Sequence, residues 1–346
     1  MRTTFWLGAA AVLATTNCGS SVVKNPSTQD VTLNVSTTSS GDTTFSLPVK
    51  IGNGDAIDTV FDTGSSGLRV LANVIPESAL DQITDQQVTY SFHNGIELRG
   101  VVAYARVTIG TMTTPEAIPI MLIQNVGCTS TDPNCAAAGK SIDDYKEVGP
   151  AAILGVGMRS KPSDGGIGSP IPQFHDHPSF LVHLVDRGAT QATLTIGVSK
   201  ETKAEFKRYQ LESLSGGAAL QDGTPAYNDR GIPSCVTDRT NNVSYCVPAE
   251  LDSGNSDAYI EWPAHTDSTP TIIAAGTDLD VAIGPPESPL YEYELTVGST
   301  PQPGIDLVKI ESAPSAPATP YMNLGTSIFF RYDVLFDSYL GVEGLR

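Results

Sequence analysis

Phe61-Asp62-Thr63-Gly64-Ser65-Ser66 and Leu251-Asp252-Ser253-Gly254-Asn255-Ser256 decide how this chain reads. Each is an apolar residue, an aspartate, a small hydroxyl residue, a glycine and two small polar residues, with one copy in each half of the sequence. An apolar run that ends at Asp puts the carboxylate at the end of a buried strand. The hydroxyl residue and glycine that follow make a tight turn whose N–H groups can bond it. Two such loops facing each other bring two carboxyls into contact, and like-charge repulsion then makes them share a proton. The ionised member can take a proton from a trapped water while the protonated member donates to the carbonyl that the water attacks. The expected reaction class is amide hydrolysis without a covalent intermediate.

A second landmark follows each loop. Ala151-Ala152-Ile153-Leu154-Gly155-Val156-Gly157 is a continuous apolar run with glycine, and Met322-Asn323-Leu324-Gly325 is its counterpart, with a polar departure at Asn323. The pairing expected is Gly155 with Asp62 and Gly325 with Asp252, an internal duplication. Asp62-Thr63-Gly64-Ser65-Ser66 with Asp252-Ser253-Gly254, each followed by its apolar run and glycine, resembles the pepsin-type aspartic peptidases. The shared-proton mechanism is the one known for pepsin itself and is carried over with the resemblance.

The resemblance implies an all-β, bilobal fold with a few short helices and catalytic roles for Asp62 and Asp252. It makes Thr63, Gly64, Ser65, Ser253, Gly254 and Asn255 the supporting loop residues, with Ser65 and Asn255 donating to their respective carboxylates. Asn255 stands where the family usually has Thr or Ser, and its amide can still donate. The run Val88 to Leu98 reads as a hairpin with an Asn94-Gly95 turn. Its position matches the family's mobile flap, which makes Tyr90 the candidate flap tyrosine, against the plainer reading of a half-buried strand residue. Arg69 occupies the place where many pepsins have a Trp that holds this tyrosine. The Gly67-Leu68-Arg69 continuation resembles a group of functionally unassigned exported bacterial proteins with pepsin-like motifs.

Around these landmarks the chain divides into a signal peptide (1–17), a linker (18–42) that runs into a first strand at Val31 to Val35, an N-terminal lobe (43–199) and a C-terminal lobe (200–346). Arg2 and the short apolar stretch Phe5 to Leu13 read as an export signal. Leu13 to Ser20 resembles a lipoprotein signal, with Cys18 the candidate lipidated residue and membrane tether. The other cysteines form close pairs, Cys128 with Cys135 and Cys235 with Cys246. Disulfides suit export, and the rival zinc reading has neither the spacing nor a His between the partners.

The net charge of −18, from 38 acids and 20 bases, argues against nucleic acid and anionic membrane surfaces as partners. The expected partner is a polypeptide substrate, with the protein a monomer. No metal or other cofactor is expected. His93 reads as a solvent-facing turn residue, and His175-Asp176-His177 as a surface loop ahead of a metal site. Ser179 to Gly188 reads as a short helix, Phe329 to Phe336 as one of the last strands, and Asp278 and Asp280 as one solvated strand face. Two functions remain: an exported aspartic endopeptidase, periplasmic, extracellular or an outer-surface lipoprotein, and a catalytically weak binding protein on the same fold. A carboxylate-pair glycosidase needs wider carboxyl separation than a shared proton allows.

Overall fold

The computed structural model describes residues 27–38, 42–159, 166–174, 179–186, 188–214, 225–298, 307–315 and 318–346. The export segment, Cys18 and the His175-Asp176-His177 triplet lie outside them. The described chain is predominantly β. Its α-helices are the single turns Ile142–Lys146 and Lys200–Lys203. The first strands are β1 (Gln29–Thr37), β2 (Thr43–Ile51), β3 (Ala56–Asp62), β4 (Ser66–Leu71), β5 (Gln82–Ser91) and β6 (Ile96–Ala105).

β1 and β2 show why the first-half core closes where it does. Alternate residues Val31, Leu33, Val35 and Phe45, Leu47, Val49 are buried, the period-2 pattern of strands with one covered face. The expected linker therefore ends earlier than residue 42. β1 is hydrogen-bonded to β2 on one side and to the strand Gln191–Ile196 on the other, so its backbone donors and acceptors are spent inside the sheet.

The same pairing order occurs twice. In the first half β3 runs parallel to Ala152–Val156, which is antiparallel to β4, which is parallel to Ile118–Cys128. In the second half Ala249–Glu250 runs parallel to Met322–Asn323, which is antiparallel to Ala258–Trp262, which is parallel to Val308–Ser312. Asp62 is the last residue of β3 and Asp252 lies just past Ala249–Glu250, so each aspartate stands where the first strand of such a set ends. A continuous sheet then joins the halves: Ser179–Val182 pairs with Gln191–Ile196 and with Val334–Asp337, which pairs with Val342–Leu345.

The structure corrects two element readings here. Ser179–Val182 is a strand and residues 183–186 are irregular, in place of the expected helix. All four strand residues are buried, because Phe180 is packed in the sheet between Phe61 and Phe336. A cap-like Ser and a terminal Gly are local signals, and burial on both faces overrides them. Phe329 and Phe330, expected in a strand, belong to the 3-10 helix Gly325–Phe330, and both rings lie against Phe45.

Both cysteine pairs are disulfides, Cys128–Cys135 and Cys235–Cys246. The second joins directly opposed residues of the strands Ser234–Asp238 and Val243–Cys246. Among the described residues no helix is long and apolar enough to cross a membrane.

Candidate active site

Phe61 is fully buried, so the chain leaves the core at Asp62 and turns at once. Gly64 N–H donates to Asp62 Oδ1 at 2.9 Å, Ser65 N–H to the same oxygen at 3.1 Å, and Ser65 Oγ to Oδ2 at 2.5 Å. In the second loop Gly254 N–H donates to Asp252 Oδ1 at 2.7 Å. The register expected for the second landmark is present: Gly155 is the direct partner of Asp62. Asn323 pairs with Glu250, and Leu324 N–H donates to Glu250 O at 3.1 Å, which brings Gly325 up against the loop after Asp252.

The two loops interlock. Thr63 Oγ1 donates to Leu251 O at 2.6 Å and accepts from Ser253 N–H at 2.9 Å. Ser253 Oγ donates to Phe61 O at 2.8 Å and accepts from Thr63 N–H at 3.0 Å. Each hydroxyl thus spends its donor and an acceptor on the opposite loop. The glycines are at the crossing for a steric reason. A Cβ on Gly64 would fall 2.3 Å from Asp252 Cγ, and one on Gly254 would fall 2.4 Å from Asp62 Oδ1. Each aspartate carboxyl therefore packs against the glycine of the other loop.

Both carboxyls line a groove of about 1060 Å³ between the halves. Burial, then the charges of Asp62 and Glu250, hold the Asp252 carboxyl well above its ordinary range, against the lowering hydrogen bonds from Asn323 and Gly254. Asn323, not Asn255, is the side-chain donor: its Nδ2 reaches Asp252 Oδ2 at 2.6 Å. Asn255 lines the groove and its backbone carbonyl accepts from Thr326 N–H at 2.9 Å. The expectation for Asn255 fails because a residue supplied by the neighbouring strand is already at the carboxylate.

The β5–β6 hairpin stands over the groove. Its turn is closed by Phe92 N–H to Ile96 O at 2.9 Å and Gly95 N–H to Phe92 O at 3.1 Å, with Gly95 at φ +80°, where an L side chain is strained. Tyr90 faces the groove, and the Arg69 guanidinium lies 3.5 Å from its ring centroid. Arg69 is buried and donates to Ser66 O at 2.6 Å and Gly67 O at 3.0 Å. A planar cation can stack on an aromatic face and satisfy backbone acceptors at once.

Among the described residues no group of three or more His, Cys, Asp or Glu could hold a metal ion. Asp280 pairs with Arg239 at 3.5 Å on its strand face.

Over residues 14–168 the chain matches a family described as "Protein of unknown function (DUF3443)". That stretch contains the Asp62 loop, the hairpin and Gly155, and stops short of Asp252. No curated protein matches the chain.

Three features were not read from the sequence. His93 stacks on Tyr259 from across the groove, with ring centroids 4.0 Å apart, and its Nε2 lies 2.8 Å from Glu311 Oε2, so it is not simply a solvent-facing turn residue. Asp229 accepts from Met158 N–H and Arg159 N–H at 2.8 and 3.1 Å, tying the second half to the end of the first apolar run. Glu250 is fully buried behind Asp252. Its sequence signal was an acid in the short stretch leading into the second motif.

Proposed function

We propose that this chain is an aspartic endopeptidase of pepsin-like, bilobal architecture, exported, that hydrolyses peptide bonds with a water held between Asp62 and Asp252. The observation that carries the reading is the reciprocal interlock: Thr63 and Ser253 clasp the opposite strands, and each catalytic carboxyl rests on the other loop's glycine at the floor of the groove. Such bracing holds two carboxyls in one fixed relation, which proton sharing requires. The recurrence of one strand-pairing order around both loops supports the two-lobed reading.

In the proposed cycle Asp252, with its raised carboxyl, carries the proton of the pair. Asp62 takes a proton from water as the water oxygen bonds to the substrate carbonyl carbon, and Asp252 gives its proton to the carbonyl oxygen. The tetrahedral diol then collapses. The C–N bond breaks, the amine leaves with the proton held by Asp62, and a diol proton returns to Asp252, restoring the starting state. Tyr90, backed by Arg69, acts from the hairpin as the wall that covers an extended substrate. The two disulfides support an oxidising, exported setting.

Cleavage of a denatured protein from about pH 3 to 7 tests the reading. Activity is expected on the acidic side, blocked by a transition-state peptide isostere and lost in Asp62→Asn and Asp252→Asn. Cleavage that survives both substitutions rejects it. A folded wild type that cleaves nothing and binds a polypeptide in the groove leaves a binding protein on the same scaffold.

A further inference from the structure

The two halves differ at one informative place. Two residues before Asp62 the strand carries Val60, paired with Ile153. Two residues before Asp252 it carries Glu250, paired with Asn323. The same position in the same motif is thus apolar in one half and an acid–amide pair in the other. Strand pairing needs neither polar residue, and burying an ion costs several kcal/mol unless it is compensated.

The compensation is built in. Glu250 Oε1 accepts from Arg230 Nε at 3.0 Å and lies 3.5 Å from Arg159 Nη2. Arg159 also faces Asp229 at 3.4 Å, and Arg230 lies over the Tyr321 ring at 3.9 Å. The other carboxyl oxygen, Oε2, faces Asn323 Nδ2 at 3.5 Å, and that same nitrogen donates to Asp252 Oδ2 at 2.6 Å. Asn323 Oδ1 accepts from Gly325 N–H at 2.8 Å, which fixes the amide orientation with its NH₂ toward the two acids. The remaining titratable groups whose charges act on Glu250 or feel it are Asp252 in its own loop, Tyr259 of the strand Ala258–Trp262, Tyr321 just before Met322–Asn323, and Glu343 near the C-terminus.

We propose that Glu250, acting through Asn323, is a positioning residue that biases the proton of the carboxyl pair toward Asp252 and sets the alkaline limit of the reaction. The inference rests on the peptidase reading for its kinetic consequence, while the coupling itself can be read without turnover. Burial delays the ionisation of Glu250 to about pH 7 against Arg230 and Arg159; as it ionises there its charge disfavours a second negative charge on Asp252, whereas the Asn323 amide favours it. Removing one or the other therefore moves the pair in opposite directions.

The test combines pH profiles of kcat/KM with a carbon-13 carboxyl titration of the aspartates in the full-length chain. In Glu250→Gln the alkaline limb and the Asp252 titration are expected to move down by about one pH unit, with the acidic-side rate within about threefold of wild type. In Asn323→Leu both are expected to move up. A folded Glu250→Gln in which neither moves makes Glu250 purely structural and overturns the proposal. If Glu250→Gln does not fold, Asn323→Leu decides, and an unmoved Asp252 titration there overturns it. A wild type that cleaves nothing, while Asp252 still titrates lower in Glu250→Gln, removes the peptidase reading and keeps the coupling.

Discussion

Thr63 and Ser253 hold the site together, and their substitution separates bracing from chemistry. Thr63→Val keeps the β-branched shape but deprives Leu251 O of its donor and Ser253 N–H of its acceptor. Buried groups left without partners cost about 1–3 kcal/mol each. The expected loss is therefore about 2–6 kcal/mol of unfolding free energy, measured by denaturant unfolding, while Thr63→Ser stays near wild type. The glycines make a second, different prediction. A methyl on Gly64 would be placed 2.3 Å from Asp252 Cγ, so Gly64→Ala must displace a carboxyl rather than fill a void. Peptide cleavage is expected to fall roughly a hundredfold, the cost of a misplacement of about 1 Å. Circular dichroism should remain that of a folded β protein. On the proposed peptidase reading, a Gly64→Ala variant with unchanged kcat/KM would mean that the two loops do not need this close approach.

At the level of elements, the β5–β6 hairpin is tied to the far side of the groove through His93, which stacks on Tyr259 and pairs with Glu311. Although partial burial acts to raise the Glu311 carboxyl, the hydrogen bond and charge of His93, with Lys309 and His265, hold it below its ordinary range. A carboxyl lowered in the folded state stabilises at pH above its unfolded value and loses that contribution as pH falls through the lowered one. The hairpin tip is therefore expected to loosen as pH drops below about 4.5. Amide exchange at 90–96, corrected for its intrinsic pH dependence, should rise there, and His93→Ala should show the raised exchange already at neutral pH. Equal protection in His93→Ala and wild type at neutral pH would show that the latch carries no weight. The hairpin and the motif loops were legible in sequence because local chemistry determines them: Asn94-Gly95 makes the turn, and Asp-Thr-Gly makes its own hydrogen bonds. The failures share a cause, which is a partner supplied from elsewhere in the chain. Ser179–Val182 became a strand because Val334–Asp337 pairs with it. Asn255 lost its role to Asn323, and His93 gained one from Tyr259 and Glu311. Glu250 was the nearest to being legible, because aligning the two motifs sets it opposite Val60.

The whole molecule carries a net charge of −18 at pH 7, and its buried acids give that charge a definite effect on stability. Burial above all holds Asp252 and Glu343 well above their ordinary values, and pushes Glu250 up to about 7 against Arg230 and Arg159. A carboxyl whose folded value is raised binds more protons folded than unfolded between the two values. It stabilises fully below the unfolded value and loses that contribution as pH rises through the folded one. For Glu250 the interval runs from 4.5 to about 7. At about 1.4 kcal/mol per pH unit it corresponds to a loss on the order of 3 kcal/mol. The lowered carboxyls Asp144, Asp238 and Glu311 do not offset this, because a carboxyl lowered in the folded state changes its contribution only below its unfolded value, at about 4, and is constant over the interval above it. Thermal stability is therefore expected to peak on the acidic side and to fall between about pH 5 and 8. Glu343 isolates the cause away from the groove. Its Oε2 is buried without a hydrogen-bond partner among the described residues, and the charges of Asp229 and Glu250 add to the effect of burial. Glu343→Gln replaces an acid that must lose its proton in a closed space by a neutral amide of the same shape. The variant should gain about 1–3 kcal/mol at pH 8 and little at pH 5, flattening the profile of Tm against pH. Wild-type stability that rises steadily from pH 5 to 8, or a Glu343→Gln variant destabilised equally at both ends, would show that these acids are buried as compensated ions rather than as protonated groups.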